Sequence, residues 1–154
     1  MPRVNHFRLQ KVLEFKEHLE NMRTLELYKA QTQRARAEDE LRALHSSKEA
    51  LLQQASQKYH SPDKLNLADL QIHLSYLGQL HDSIERQNRS VEDLTKAVDH
   101  KRLELNEAVK ERKIIQTLKD QFAERQKLQT KKAENAKIDE IALRQKSRNG
   151  EQGE

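Results

Sequence analysis

A seven-residue repeat of apolar side chains runs through the second half of this sequence. Its members are Leu70, Leu77, Ile84, Val91, Val98 and Leu105. Three residues after each lies a second series, in which polar and apolar residues at first alternate: His73, Leu80, Gln87, Leu94, Lys101, Ala108, Ile115 and Phe122. These are the a and d positions of a heptad, so this half predicts a long helix that pairs with another helix in a left-handed coiled coil. Polar residues at d give up most of the ~1.5–3 kcal/mol that a buried Leu contributes, but they restrict register.

The first half also carries apolar residues at heptad spacing, in two registers displaced by one residue. The first register contains Val12, Phe15, Leu19 and Met22. The second contains Leu27, Ala30, Ala37, Leu41, Leu44, Leu51 and Ala55. This displacement predicts a skip near residues 22–27, where the winding of the helix pair should change.

A single proline, Pro62, interrupts the chain between these halves. Together with Ser61 and Asp63 it is typical of a turn, and Asn66 with Asp69 three residues later is typical of a helix start. A short connection makes two amphipathic helices antiparallel neighbours, so the sequence predicts an all-α fold, a monomeric antiparallel coiled-coil hairpin. The same heptads also permit a parallel or intermolecular coiled coil.

The expected boundaries follow from the turn. We expect one hairpin domain over residues 1–146, with helices over about 5–59 and about 67–146, a turn over 60–66 and a disordered tail over 147–154. If the turn centres near residue 62, Phe7 lies opposite roughly residue 117, and the segment from about 120 to 146 has no partner in the chain.

That overhanging segment is basic. Residues 110–148 carry twelve Lys or Arg and six Asp or Glu, whereas residues 61–109 carry six and nine. Its large apolar residues are sparse, so we expect it to fray in the free protein and to become ordered when it docks on an acidic protein surface. The interleaved acids and the lack of aromatic residues beyond Phe122 argue against nucleic acid as the partner.

Catalytic, metal and cofactor sites are not expected. The chain is 35% charged and 4% aromatic, too polar to fill a compact core around a pocket. It has no cysteine and no HExxH pattern, and Asp69 with His73 supplies only two possible ligands. No apolar run approaches the ~20 residues that span a bilayer, and no signal-peptide core is present, so neither membrane insertion nor secretion is expected.

Both ends of the chain resemble a known family. The opening FRLQKVLEFKEHLE, with Phe7, Leu9, Val12 and Leu13, resembles the start of the flagellar export protein FliJ family. The match near the other end rests on Leu118, Lys119, Phe122, Glu134, Ile138, Asp139, Glu140, Ile141 and Ala142. The chain departs from the family pattern at Asn135 and Ala136, where a glutamine and a lysine are expected.

The resemblance implies a non-enzymatic role in flagellum biogenesis, chemotaxis and type III protein export. It implies a stalk-like activator of the hexameric export ATPase that also links to the membrane export gate and to export chaperones. Its place would be cytoplasmic, peripheral at the inner face of the cell membrane at the flagellar base. A stalk protein of a virulence secretion system, a generic coiled-coil scaffold and a basic coiled coil that binds nucleic acid stay open as alternatives.

Two sets of site residues follow. The overhang would dock on the ATPase through Phe122, Leu128, Lys131, Lys132, Ile138, Asp139, Glu140, Ile141 and Arg144. A stripe on the second helix is similar to the family's export-gate surface and contains Tyr76, Leu80, Ser83 and Gln87. Leu80 and Gln87 are also d positions, so the alternative is that these two face the first helix.

Overall fold

Two long helices make up the fold. The computed structural model describes residues 5–60, 66–151 and 153. Helix α1 spans Gln10–Tyr59 and helix α2 spans Leu67–Glu151, and no strand occurs in the described ranges. The predicted all-α fold, in which two long helices pack against each other, is confirmed.

The start of α2 is capped by Asn66. Its Oδ1 accepts a hydrogen bond of 3.1 Å from the backbone N–H of Ala68, and its carbonyl accepts one of 3.1 Å from the N–H of Leu70. Asn66 therefore satisfies one of the backbone donors that a helix start leaves free, as the sequence predicted. The predicted turn residues Ser61, Pro62 and Asp63 lie outside the described residues.

The helix ends differ from the predicted boundaries. α1 begins at Gln10 instead of near residue 5, because residues 5–9 enter through a turn in which the Gln10 N–H donates to the Phe7 carbonyl at 3.1 Å. α2 continues to Glu151, so residues 147–151, which were expected to belong to a disordered tail, are helical. Nothing in that stretch removes a backbone donor as a proline would, and Gly150 alone does not end a helix.

Contacts divide the chain into two units. The first unit comprises Met1–Leu19 and Ala108–Glu154, and the second comprises Glu20–Glu107. In each unit the helices run antiparallel. The first unit pairs Lys16 with Glu111, and the second pairs Glu26 with Lys101.

The heptad of α2 is confirmed by burial. Every a and d residue from Leu70 to Phe122 is buried or half-buried, and Val98 is fully buried. Leu80, Ile84 and Ala108 are also buried. Packing at these positions supplies most of the stabilisation of a helix pair that has so few large apolar residues.

The predicted register skip in α1 is wrong. One heptad is buried or half-buried without interruption: Leu13, Lys16, Glu20, Arg23, Leu27, Ala30, Arg34, Ala37, Leu41, Leu44, Lys48, Leu51 and Ala55. Of the predicted first register, only Leu19 is half-buried. Leu13 is 1% exposed, whereas Phe15 is 60% exposed and Val12 and Met22 are also exposed. We number this heptad so that Leu13 is a and Lys16 is d.

The physical reason for the difference is charge pairing. Lys16 at d reaches Glu111 across the helix pair, with 2.6 Å between Nζ and Oε2, and Arg23 at the next d reaches Glu104 at 3.1 Å. These pairs let polar side chains occupy the interface with long apolar stems packed inward. The larger apolar side chains one residue earlier are left outside it.

Candidate interaction surfaces

The overhanging end of α2 is helical and exposed to solvent. We call residues 123–151 the C-terminal arm. Gln126 is its last half-buried residue, and every residue of 127–151 is exposed. The described part of α1 therefore covers none of those 25 residues.

Phe122 marks the point where the paired region gives way to the arm. Its ring packs on that of Phe7, with 5.7 Å between the centroids and the planes tilted by 46°. The partner of Phe7 was expected near residue 117. Because Phe7 precedes α1, its segment covers more length per residue than a helix does and reaches further along α2.

The predicted docking residues of the arm do not form one stripe. Continuing the heptad of α2 places Leu128 at c, Ile138 at f and Ile141 at b, which face away from the a and d side. All three are exposed, as are Asp139 and Glu140. Phe122 lies apart from them in the helix pair, so the predicted set divides between the paired region and the exposed arm.

Charge on the arm is only partly neutralised. Arg144 pairs with Glu140, with 2.6 Å between Nη2 and Oε1. Lys131 and Lys132 make no ion pair with any described residue. Both ammonium groups are therefore available for an acidic partner, whereas Arg144 would first have to leave Glu140.

The predicted export-gate stripe divides between two environments. Tyr76 is exposed and borders a shallow open groove with Ile72 and Gln79. Leu80 is buried, and Gln87 donates from Nε2 to the carbonyl of Ala37 at 2.9 Å.

The remaining member of the stripe, Ser83, is half-buried and accepts a hydrogen bond from Arg86 at 3.4 Å. In the free chain Tyr76 is therefore the exposed member of the stripe, at 48%, whereas Leu80 and Gln87 face the first helix.

Sequence reasoning missed an ionic cluster in the second unit. Arg23 contacts Glu26 at 3.0 Å and Glu104 at 3.1 Å, and Lys101 contacts the same two carboxylates at 3.3 and 3.2 Å. His100 approaches the other oxygen of Glu104 at 3.1 Å. The four central side chains are only a quarter to about a third exposed, so two cations and two anions alternate at the edge of the interface.

The cluster shifts the titration of its members. The hydrogen bond from Arg23, then that from Lys101, lowers the pKa of Glu26, and the hydrogen bond from Lys101 lowers that of Glu104. The pKa of Lys101 is raised by its hydrogen bonds to Glu104 and Glu26. Each shift favours the charged form, which is the expected effect of an opposite charge within hydrogen-bond distance.

A signal for this cluster was present in the sequence. Lys101 was recognised as a polar d residue, and Glu104 follows it by three positions. The partners on α1 were overlooked because a register with Met22 in the interface places Arg23 outside it. A polar d residue on one helix therefore indicates a charged partner on the other helix, in whichever register of that helix faces the interface.

The described residues contain neither a metal-binding cluster nor a membrane-spanning helix. No cluster of three or more His, Asp or Glu side chains that would hold a metal occurs among them. Asp69 pairs instead with Lys58 at 3.4 Å, while His73 meets the Tyr59 ring edge-on. Across the described helices, no segment is both long and apolar enough to cross a bilayer.

Comparison with known protein families gives a match. The family model described as Flagellar FliJ protein matches residues 5–151, almost the whole chain. Neither the curated proteins nor the solved structures provide a match. The matched range includes both helices and the entire C-terminal arm.

Proposed function

This chain belongs to the FliJ family of flagellar proteins, and from that premise we propose that it is a stalk-like activator of the hexameric flagellar export ATPase. In this proposal it acts by binding and performs no catalysis. Its place is at the cytoplasmic face of the membrane at the flagellar base, where it also serves the export gate and export chaperones.

The observation that carries the proposal is the bare C-terminal arm. An isolated helix of about 25 residues with few apolar contacts is only marginally stable in water, because helix stability in proteins comes mainly from packing. The arm has eight Lys or Arg against five Asp or Glu, and Leu128, Ile138 and Ile141 are exposed on it. A surface of this kind is suited to an acidic, partly apolar cavity such as the inside of a protein ring.

Contact with the export gate is proposed to begin at Tyr76. It is the one exposed member of the predicted stripe, and the adjoining groove with Ile72 adds apolar surface. Leu80 and Gln87 would take part only if the helix pair opened locally, which would break the hydrogen bond from Gln87 to the Ala37 carbonyl.

The test is stimulation of the export ATPase of the same organism. Purified wild-type protein should raise phosphate release or the hexamer fraction, and a variant that lacks residues 123–154 should do neither. The deletion spares every a and d residue up to Phe122, so its thermal melting should stay nearly unchanged. Full stimulation by the deletion variant would contradict a docking role of the arm.

Charge reversal refines the same experiment. Lys131→Glu/Lys132→Glu should weaken ATPase binding, and the loss should shrink at high salt because exposed charges are screened. Lys29→Glu/Arg36→Glu is a matched control, since both residues are exposed on α1 and form no ion pair with described residues. An inactive wild-type protein that instead binds DNA in a salt-sensitive manner would favour the nucleic-acid alternative.

A further inference from the structure

The first unit has large apolar side chains on the outside, while a lysine paired with the exposed Glu111 occupies a position in the helix interface. In α1, Lys16 occupies a d position of the interface while Phe15, one residue earlier, is exposed. Turning the helix by about one residue, ~100°, would bury Phe15 in place of Lys16. Local conflicts of this kind tend to mark functional positions, because a chain selected for stability alone would resolve them.

These outward residues repeat at heptad spacing of their own. Val12 and Leu19 are at g of the α1 heptad and Phe15 is at c, so they follow one another along a single stripe. Val12 and Phe15 are exposed and Leu19 is half-buried. α1 thus carries an apolar stripe beside the heptad that begins at Leu13, and Val12 and Phe15 of this stripe are left exposed by the packing within the chain.

α2 contributes the same positions on the same flank. Ile114 is at c and Leu118 at g of its heptad, and both are exposed. The ion pair between Lys16 at d and Glu111 at g shows that the g flank of α2 lies beside the d side of α1. In an antiparallel pair the g positions of both helices face one flank, so the two apolar stripes border a common groove.

We propose that this flank, which we call the second seam, docks one amphipathic helix of another protein whose polar edges are acidic. Val12, Phe15 and Leu19 would contact one side of that helix, and Ile114 and Leu118 the other. The docked helix would complete a three-helix bundle in which its apolar residues fill the groove. This inference does not rest on the ATPase role of the C-terminal arm.

The charged residues beside the second seam favour a partner helix with acidic edges. Lys11 borders the α1 stripe at f, and Arg125 continues the α2 stripe seven residues after Leu118. Both are exposed, and neither forms an ion pair with a described residue. Glu111, which lies at g on the α2 stripe, already pairs with Lys16.

A second copy of the chain fits the same groove less well. Over its described ranges, 5–19 and 108–151, the first unit carries fifteen Lys or Arg against nine Asp or Glu. Two such units would place like charges face to face, which disfavours association, whereas acidic edges on a partner helix would pair with Lys11 and Arg125.

The test uses the full-length protein and two synthetic helical peptides of about four heptads. Both have Leu at a and d; one has Glu at e and g, and the other has Lys there. Repulsion between like edges keeps each peptide from pairing with itself at neutral pH. The Glu peptide should bind wild-type protein in fluorescence anisotropy, and the Lys peptide should bind at least tenfold more weakly.

Two matched double variants locate the binding. Phe15→Gln/Ile114→Gln should weaken binding of the Glu peptide at least tenfold. Leu25→Gln/Leu103→Gln should leave it unchanged, because these residues are just as exposed but lie at f positions of the second unit, outside the seam. All four substitutions are at exposed sites, so circular dichroism should show the same helix content and melting for both variants.

A charge reversal tests the acidic edge directly. Lys11→Glu/Arg125→Glu should reverse the preference between the two peptides. Absence of binding, equal binding of the peptides, or equal loss in both Gln variants would overturn the proposal. A concentration-dependent dimer that Phe15→Gln/Ile114→Gln abolishes would assign the seam to a second copy and would also overturn it.

Discussion

At the scale of single residues, charged side chains help to align the two helices of this pair. Glu104 accepts hydrogen bonds from Arg23 and Lys101 on its Oε2 and lies near His100 on its other oxygen. Removing one of these cations would take a hydrogen bond from the partly buried carboxylate, which is unfavourable. The cluster therefore contributes more to fixing how the helices are aligned than to net stability.

The cluster predicts a pH dependence of stability with a definite sign. The pKa values of Glu26 and Glu104 are lowered in the folded protein, so their contribution is complete above 4.5, the ordinary carboxyl value, and is lost as the pH falls through the lowered values. Glu104→Gln should lower the melting temperature at pH 7, and its difference from wild type should shrink below pH 4.5.

The control for this measurement is Glu92→Gln, at an exposed residue of the same helix without an ion pair to any described residue. It should change melting little at either pH. At the alkaline end the sign is opposite, because the pKa of Lys101 is raised: its contribution is complete below 10.5 and is lost above that value. A melting difference for Glu104→Gln that stays constant from pH 7 to pH 3 would rule out an ionic role for the cluster.

At the scale of the helices, the register of α1 decides which residues hold the pair together. Leu13 is nearly inaccessible, whereas its neighbour Val12 lies at the surface. Leu13→Ala should reduce the free energy of unfolding by about 2–4 kcal/mol, because it leaves a cavity in the interface. Val12→Ala, the matched control, should cost less than about 0.5 kcal/mol.

Urea unfolding followed by circular dichroism measures both changes. The reverse order of effects, with Val12→Ala the more destabilising, would mean that Val12, Phe15 and Met22 face α2 after all. It would also remove the basis of the second seam, since those side chains would then be covered within the chain.

The heptad register was predicted correctly from the sequence for α2 but not for α1. The heptad of α2 was predicted correctly because Leu, Ile and Val occupy its a positions without interruption from Leu70 to Leu105, and the Asn66 cap followed from its side-chain chemistry. The register of α1 was not, because its apolar residues at 12, 15 and 22 outweigh Lys16 and Arg23 in any hydrophobicity argument. Only the positions of Glu111 and Glu104 on the other helix make the charged register favourable, and that information is not local to α1.

At the scale of the whole molecule, burial separates the predicted site residues into those that are exposed and those that face the other helix. The predicted arm residues Leu128, Ile138 and Ile141 are exposed as docking requires, but the gate stripe mixes exposed Tyr76 with buried Leu80. Sequence periodicity alone could not separate them, because an i, i+4, i+7 stripe is compatible with either face of a helix that already has a partner. The burial of Leu80 depends on α1.

The last prediction concerns whether pairing is within one chain. Polar residues at a and d do not by themselves fix helix direction or partner, so the same heptads would also allow two chains to pair. The protein has no cysteine, so an introduced pair is unique. Lys16→Cys/Glu111→Cys replaces side chains that touch across the two helices, and a short bis-maleimide should join them within a monomer at high dilution.

Two further variants make that result decisive. Lys58→Cys/Asp69→Cys, whose native side chains are 3.4 Å apart, should also cross-link within a monomer. Lys29→Cys/Lys58→Cys, with both residues in the second unit, should not, because 29 residues of one helix separate its cysteines by ~40 Å. The joined species should keep the monomer mass in light scattering, independent of concentration. If the first two pairs yielded only dimers, in amounts that rise with protein concentration, the helices of one chain would not be each other's partners, and the antiparallel hairpin would be wrong.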